Sequence, residues 1–478
     1  MEDLVILGMM RNNMPELPEV ETVKNTLYEL VHNKTISSVK ILREKNVLNE
    51  PKLFVSSLEN QTILDFERVG KFIVFHLSNN VVLISHLRME GKFFLKDKSE
   101  PINKHDLVIF DFTDNTSLRY NDTRRFGILK VSSKDKYMIE PPLSEVGPDA
   151  LTLNDPKVLQ KAFKNKTIAI KTALLDQSIM SGLGNIYVDE VLFACKIHPE
   201  TPANQVTLKE LEMILKESKR ILSAAVQAGG TTIKSYHPKE GVSGNFQFAL
   251  NVYGKKDKPC PRCGHPFRKT FVNGRGTTYC PLCQKNHSLA YSIGITGPVG
   301  AGKSLVSKYL EKKGFIYLNS DGIVHSLYKD KNVQKQIKAL IPELKIVNGE
   351  IDRQHLKNYL LDNPKKKVKL EKFIHAKVSD EIELAIKKAK KSDKFVVEVP
   401  LLFESRIDEL LTETLLIDIN KDKQIANLKT RGEDVNKLIE LNKNFHLKEN
   451  KKKATYVISN NLNAASLYKS LDAIFSCK

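Results

Sequence analysis

The sequence predicts a multidomain chain: a β-rich segment led by one helix, a helical segment, a four-cysteine ribbon, and a parallel α/β unit built on a phosphate-binding loop. Three observations carry this. At 478 residues the chain is about three times the ~150 residues of a common domain. Four of its six cysteines fall as Cys260-x2-Cys263 and Cys280-x2-Cys283. Gly297 to Ser304 reads Gly-Pro-Val-Gly-Ala-Gly-Lys-Ser directly after an apolar strand pattern.

Composition narrows the function classes. With 41% hydrophobic and 27% charged residues the chain can fill several cores, and no stretch approaches the ~18 apolar residues of a membrane span. Lys and Arg number 75 against 56 Asp and Glu, a formal charge of +19, which favours polyanionic partners such as nucleic acid or nucleotide phosphates. Lys accounts for 61 of the 75 and Arg for 14, so most Lys are solvated surface and the few Arg are the more informative cations. Residues 251–289 hold eight basic and one acidic side chain, a local patch. At the N-terminus Leu4 to Met10 are apolar, but Glu2 and Asp3 precede them, the wrong polarity for a secretory signal. A reducing cytoplasm is expected.

The elements follow in order. Residues 1–13 show no period. From Glu16, Val20, Val23, Leu27, Leu30 and Val31 recur at helical spacing. Between residues 62 and 131 short Val/Ile/Phe runs predict strands, with Phe72–Leu77 and Val81–Leu87 joined through Ser78-Asn79-Asn80 as a hairpin. A helical region runs from about Asp155 to Ala228, interrupted by Ser181 to Asn185 and by Pro199 and Pro202. The cysteine pairs, 16 residues apart, have zinc-ligand spacing, and two disulfides are the other reading. Four thiolates leave no open position for water, so such a zinc is structural. Cys195 and Cys477 are left as idle thiols. Strands Tyr291–Thr296, Phe315–Leu318, Phe395–Val399 and Thr414–Ile419 then alternate with helices, as in a parallel sheet.

Gly297, Pro298, Val299, Gly300, Ala301, Gly302, Lys303 and Ser304 fit G-x-x-x-x-G-K-[ST]. Backbone N–H groups of such a loop close round phosphates, Lys303 reaches the β/γ phosphates and Ser304 can hold Mg²⁺, so this half binds a nucleoside triphosphate. Asp321, just past the second strand, suits a base, and a helix cap is its plain structural reading. Glu398 suits a Mg²⁺-water contact or a bland strand end. The run Ile293 to Ser304, with Leu318-Asn-Ser-Asp321, Ile351-Asp-Arg353, Leu370-Glu371, Ile374-His375 and Val399-Pro-Leu-Leu-Phe-Glu404, resembles dephospho-coenzyme A kinase over about residues 290–478. The resemblance implies Asp321 as the base on the ribose 3′-hydroxyl of dephospho-CoA and Arg431 as a lid arginine over ATP. Asn319 replaces an Asp, Ala376 a Pro, and Asn427 and Glu440 stand where Arg is usual. A weakened lid is expected.

Met14-Pro15-Glu16-Leu17-Pro18-Glu19 is a peculiar way to open a helix. Proline in the first turn with acidic neighbours is the plain reading. A free amine on Pro15, however, could attack a sugar C1′, with Glu16 shuttling protons. With His86-Leu-Arg-Met89-Glu-Gly91, Tyr120-Asn-Asp-Thr-Arg124-Arg125-Phe126-Gly127, Gly182-Leu-Gly-Asn185-Ile-Tyr187, Gly229-Gly-Thr-Thr232 and the cysteine ribbon, this run is similar to bacterial formamidopyrimidine-DNA glycosylase over residues 14–285. The resemblance implies a β-sandwich with a helix, a helix-two-turn-helix domain and a zinc ribbon. It also implies excision of 8-oxoguanine and ring-opened purines from damaged double-stranded DNA, then β,δ-elimination. By position, Pro15, Glu16, Lys71 and Arg275 are catalytic. Met89, Arg124 and Phe126 fill the void left by the extruded base, Asn185, Lys71 and Arg275 contact phosphates, and His86 is a further DNA-binding residue. Without the resemblance, Met89 and Phe126 read as core residues on strands.

The expected division is 1–13 extension, 14–131 β-sandwich, 132–250 helix-two-turn-helix, 251–285 zinc ribbon, 286–290 linker and 291–478 P-loop kinase. A peptide-bonded Pro15 cannot be a nucleophile, so translation from Met14 or cleavage there is expected. Two other functions stay open: a DNA-binding repair protein whose P-loop half is an ATP-dependent regulator, and a kinase of another metabolite.

Overall fold

The computed structural model describes residues 15–231, 246, 249–347, 349–430 and 445–475. The expectations for residues 1–14, Thr232, Arg431, Glu440 and Cys477 fall outside them. The chain divides into two compact units, Met1–Gln284 and Lys285–Lys478.

In the first unit helix α1 (Leu17–Val31) buries Leu17, Val20, Val23, Leu27 and Val31, and Glu16 and Glu19 form a reciprocal capping box at its start. Eight strands follow: β1 (Ile36–Ile41), β2 (Ile63–Val69), β3 (Phe72–Leu77), β4 (Val81–His86), β5 (Lys92–Asp97), β6 (Asp106–Phe112), β7 (Thr116–Asn121) and β8 (Ile128–Ser133). They form two antiparallel four-stranded sheets, β1-β6-β7-β5 and β2-β3-β4-β8. One core, including Val23, Leu27, Phe75, Phe93 and Phe110, joins α1 to both sheets. Phe75 of β3 meets Phe93 of β5 with ring centroids 5.6 Å apart, so the sheets pack as a sandwich. The β3–β4 hairpin turns where expected because Asn79 and Asn80 both take left-handed φ, +54° and +61°.

The helical part comprises α3 (Pro156–Phe163), α4 (Ile170–Leu174), α5 (Asn185–Cys195) and α6 (Leu208–Gln227), after the short α2 (Pro51–Leu58) of the sandwich. Nearly all of α5 is buried, which matches its apolar residues on every face, and α6 packs on it with one amphipathic stripe. Strands β9 (Arg268–Val272) and β10 (Arg275–Tyr279) make the ribbon hairpin.

The second unit is a five-stranded sheet in the order β12-β15-β11-β16-β17: β11 (Tyr291–Thr296), β12 (Ile316–Asn319), β15 (Lys394–Glu398), β16 (Glu413–Asp418) and β17 (Tyr456–Ser459). Every pairing is parallel. A small hairpin, β13 (Ile346–Val347) and β14 (Glu350–Ile351), lies outside it. Helices α7 (Lys303–Lys312), α8 (Ser320–Lys329), α9 (Lys331–Leu340), α10 (Arg353–Asp362), α11 (Pro364–Lys388) and α12 (Lys421–Thr430), with Leu447–Lys453 and Ala464–Phe475, complete it. Two cores serve this unit. Three strands are displaced by one residue from their apolar runs, because ladder pairing includes polar ends such as Asn319, Lys394 and Glu413. Edge strand β17 lacked a visible pattern, since only Ile458 of its four residues is buried. No described helix is long and apolar enough to cross a membrane.

Candidate active sites

The start of α1 is docked onto the start of α5. Glu16, 2% exposed, accepts N–H groups from Gly184 (2.8 Å), Ile186 (2.8 Å) and Tyr187 (3.3 Å), so its carboxylate sits where a helix presents unpaired donors. Gly184 has no alternative here, because a Cβ on it would lie 2.3 Å from the Glu16 carboxyl carbon. Lys71 is buried beside it and donates to Leu183 O at 2.7 Å. Burial pushes the Glu16 carboxyl up to about 7 against the pull of Lys71 and the backbone donors. Burial likewise pushes the Lys71 ammonium down against the attraction of Glu16 and Glu19, and the Arg275 charge adds to that fall. Glu19 completes the cluster, accepting from Tyr187 Oη (2.8 Å), Thr231 N (2.8 Å) and Thr231 Oγ1 (2.9 Å). Pro15 immediately precedes Glu16 at this joint and is partly exposed. His86 stacks edge-on to Phe72, its Nδ1 accepts Arg88 N–H at 2.9 Å, and burial lowers its pKa to about 3. It is therefore a neutral ring whose Nε2–H is the donor.

Two loops at one end of the sandwich carry the expected wedge. Met89 lies in the turn after β4, and Arg124 and Phe126 lie in the loop between β7 and β8. Phe126 is 56% exposed, with the Arg124 guanidinium 5.2 Å from its ring centroid. Neither Met89 nor Phe126 is a core residue on a strand. Fully buried Asp122 builds the second loop, accepting N–H groups from Arg124 (2.9 Å), Phe126 (2.8 Å) and Gly127 (2.8 Å). Arg88, in the turn after β4, takes a left-handed φ of +53°.

The ribbon is fastened to α5. Asn185 Nδ2 donates to Gly276 O at 3.1 Å, Lys171 pairs with Asp189 at 2.6 Å with both side chains buried, and Asp189 accepts Thr278 N–H at 2.9 Å. Arg262 grips the end of α5 through Phe193 O (2.6 Å) and Ala194 O (3.1 Å). Arg275, exposed at the start of β10, is thereby held near Lys71. The sulfurs of Cys260, Cys263, Cys280 and Cys283 all lie within 4.8 Å of one another, the spacing of a tetrahedral thiolate site with ~2.3 Å Zn–S bonds. They hold a structural zinc.

In the second unit the loop Gly297–Gly302 follows central strand β11 at the carboxyl edge of the sheet. Gly302 takes φ +96° and starts α7, and a Cβ there would lie 2.6 Å from Asn460 Nδ2. The loop carbonyls are tied from outside: Ala301 O to Asn460 (2.9 Å), Val299 O to Gln424 (2.6 Å) and Gly300 O to Asn427 (3.0 Å). Lys303 Nζ lies against Gly297 O (2.9 Å) and Pro298 O (3.1 Å). Ser304 Oγ donates to Glu398 Oε1 at 2.8 Å, and Tyr317 Oη donates to Glu398 Oε2 at 2.6 Å. Asn319 caps α8 by accepting Asp321 N–H (2.9 Å) and donates to Tyr317 Oη (3.2 Å). Asp321 thus lies inside α8 and is not its cap. Its carboxyl is raised by loss of water and by Glu398, with Lys303 opposing.

Residues 14–129, 146–237 and 257–286 match, respectively, the family models for the formamidopyrimidine-DNA glycosylase N-terminal domain, the formamidopyrimidine-DNA glycosylase H2TH domain and a zinc finger found in FPG and IleRS. The formamidopyrimidine-DNA glycosylase of Ligilactobacillus salivarius is 46% identical over 275 residues, 57% of this chain and 99% of that protein. The chain belongs to the formamidopyrimidine-DNA glycosylase family. Among solved structures, the complex between the Lactococcus lactis FPG and a FAPY-dG containing DNA matches at TM-score 0.53 and 36% identity, covering 56% of this chain and 100% of that one. The complex between the L. lactis Fpg and an abasic site containing DNA matches at TM-score 0.53 and 36% identity, covering 57% of this chain and 100% of that one. Residues 291–466 match the dephospho-CoA kinase family model, so the chain is a fusion of a glycosylase and a dephospho-CoA kinase domain.

In the glycosylase the structure gathers Glu16, Lys71, Asn185 and Arg275 around the joint of α1 and α5, and Met89, Arg124 and Phe126 in two loops. Sequence reasoning missed the supports: Glu19, Asp122, Lys171, Asp189 and, in the kinase, Tyr317. Asp122 carried a signal, since an Asp two residues before a loop arginine is a common turn-former. Asn427, expected to mark a lost lid contact, holds the phosphate loop.

Proposed function

We propose that the first unit excises 8-oxoguanine and formamidopyrimidines from double-stranded DNA and cleaves the resulting abasic site. The buried carboxyl of Glu16, beside Pro15 and poised near neutral pH, carries this reading. It requires Pro15 with a free secondary amine, hence a chain begun at Met14 or cut there. The Pro15 nitrogen then attacks C1′ of the extruded nucleotide, the damaged base leaves with a proton, and opening of the sugar gives an iminium. The proton on the base comes from the Pro15 amine, and Glu16 in its acid form gives a second one to the sugar oxygen as the C1′–O4′ bond breaks. Loss of a C2′ proton then expels the 3′ phosphate, breaking C3′–O, and loss of the C4′ proton expels the 5′ phosphate, breaking C5′–O. Met89, Arg124 and Phe126 fill the void. Asn185, Lys71, His86 and Arg275 hold the phosphates around the lesion. Intact-mass analysis of protein from the native cell, followed by borohydride trapping on an 8-oxoguanine duplex, tests this. A processed chain that forms no covalent adduct overturns the Pro15 assignment.

The second unit is proposed to phosphorylate the ribose 3′-hydroxyl of dephospho-CoA from ATP. Asp321 takes the hydroxyl proton as the oxygen attacks the γ-phosphorus, and the Gly297–Ser304 loop with Lys303 binds the phosphates. Ser304 and Glu398, hydrogen-bonded to each other at 2.8 Å, would hold Mg²⁺, which would neutralise phosphate charge. Arg431 is the proposed lid cation. CoA formation from ATP and dephospho-CoA is the direct assay. ATP binding without CoA formation would favour a regulator.

A further inference from the structure

Tyr120, near the end of β7, has a ring with an evident purpose and a hydroxyl without one. The ring is fully buried and tilts against Phe93 with centroids 5.0 Å apart, in the core that joins α1 to both sheets. A phenylalanine would pack there as well. The hydroxyl is buried too, and among the described residues it has no hydrogen-bond partner. A hydroxyl held out of water without a partner costs stability, and in a native fold it is rare enough to need a reason. Burial, and then the Asp122 charge, raise its pKa, so the phenol keeps its proton and remains a donor.

Its position supplies the reason. A Cβ on Gly91 would stand 2.3 Å from Tyr120 Oη, and one on Gly127 would stand 1.6 Å from it. Neither glycine takes a left-handed φ, so both are required by space, and the Tyr120 hydroxyl takes up that space at each. Gly91 closes the turn that carries Met89, donating its N–H to Leu87 O at 2.9 Å. Gly127 closes the loop that carries Arg124 and Phe126, donating its N–H to Asp122 Oδ2 at 2.8 Å. The hydroxyl is thus seated between the two segments that bear the wedge, and neither can shift toward β7 without meeting it. An acceptor stands close by, since Leu87 O lies 2.5 Å from the same Gly91 Cβ position.

We infer that Tyr120 is a positioning residue of the wedge: its hydroxyl couples the Met89 turn to the Arg124–Phe126 loop, and takes Leu87 O as its acceptor when the two enter the duplex. The inference rests on the glycosylase reading above. Fully buried, Tyr120 acts through Met89 and Phe126 and not on DNA. The unpaired hydroxyl raises the energy of the resting arrangement, and the bond gained on entry lowers that of the inserted one. Both favour insertion.

Stopped-flow fluorescence of the full chain begun at Pro15, on a duplex with 2-aminopurine beside the 8-oxoguanine, reads entry of the wedge as unstacking of the probe. Tyr120→Phe removes only an unpaired group from the resting protein, so its melting temperature should be no lower than the parent's. Its wedge should nevertheless enter about tenfold more slowly, the scale of one hydrogen bond. In double-mutant cycles Tyr120→Phe should slow entry less in the Met89→Ala and Phe126→Ala backgrounds than in the parent, because the coupling it supplies is already lost there. Entry at the parent's rate, an equal further loss in either background, or a lowered melting temperature overturns the inference. Borohydride trapping on the same duplex keeps this apart from the glycosylase assignment. A parent that traps while Tyr120→Phe inserts at the parent's rate rejects the role of Tyr120 alone, whereas a processed parent that never traps rejects the glycosylase assignment.

Discussion

At the scale of single residues, Glu16 combines two demands. It satisfies three donors at the start of α5, and burial holds its carboxyl at about 7. Its protonated share falls as pH rises through that value, so base release that needs the acid form should slow above neutral pH. Glu16→Gln should cut 8-oxoguanine release on the order of 100-fold and flatten that pH dependence. Trapping at a preformed abasic site, where no base must leave, should suffer far less, and equal losses on both substrates would make Glu16 purely structural. In the kinase, Tyr317 fixes Glu398 opposite Ser304. Tyr317→Phe removes one hydrogen bond to a carboxylate, of order 1.5–3 kcal/mol. CoA formation should then need about tenfold more Mg²⁺ for half-maximal rate, with dephospho-CoA KM unchanged.

Among the elements, the ribbon hairpin depends on what lies under it. Lys171 and Asp189 are both buried, and Asp189 also holds the backbone of β10. Lys171→Ala strands a buried carboxylate and should cost about 3–5 kcal/mol, read as faster hydrogen exchange across Arg268–Tyr279. Lys171→Met with Asp189→Leu should recover part of that loss, because no charge is then left unpaired. Chelating the zinc should free the same hairpin, and with it Arg275, from its fixed place. Damaged-duplex binding should fall steeply while CoA formation persists, and retention of both would detach the ribbon from DNA recognition.

For the whole molecule, two units carry two chemistries. Lys303→Ala should lower CoA formation at least 100-fold, the usual scale for a lost phosphate-stabilising cation, with excision of 8-oxoguanine unaltered when both are measured on one preparation. How far this was legible beforehand follows contact distance along the chain. The Gly297–Ser304 loop, the paired cysteines, the Asn79-Asn80 turn and the periods of α1, β3 and β4 are local patterns, in which backbone geometry and ligand spacing are written in consecutive residues. Edge strand β17 was not legible, because only one of its four residues is buried. Nor were the supports of the sites. Asp122 under the wedge, Asp189 under the ribbon and Glu19 against Thr231 have polar side chains whose roles depend on partners brought together by folding. Asn319 and Asn427 make the point most sharply: as substitutions they read as lost charge, yet one caps α8 and the other anchors the phosphate loop. The sequence by itself determined the two units' kinds of fold, the zinc ligands and the phosphate loop. Only the tertiary structure decided that Glu16 meets the start of α5, 168 residues away, and that the Tyr120 hydroxyl sits between Gly91 and Gly127. Such meetings are set by how buried apolar faces pack across the chain, which no local pattern encodes.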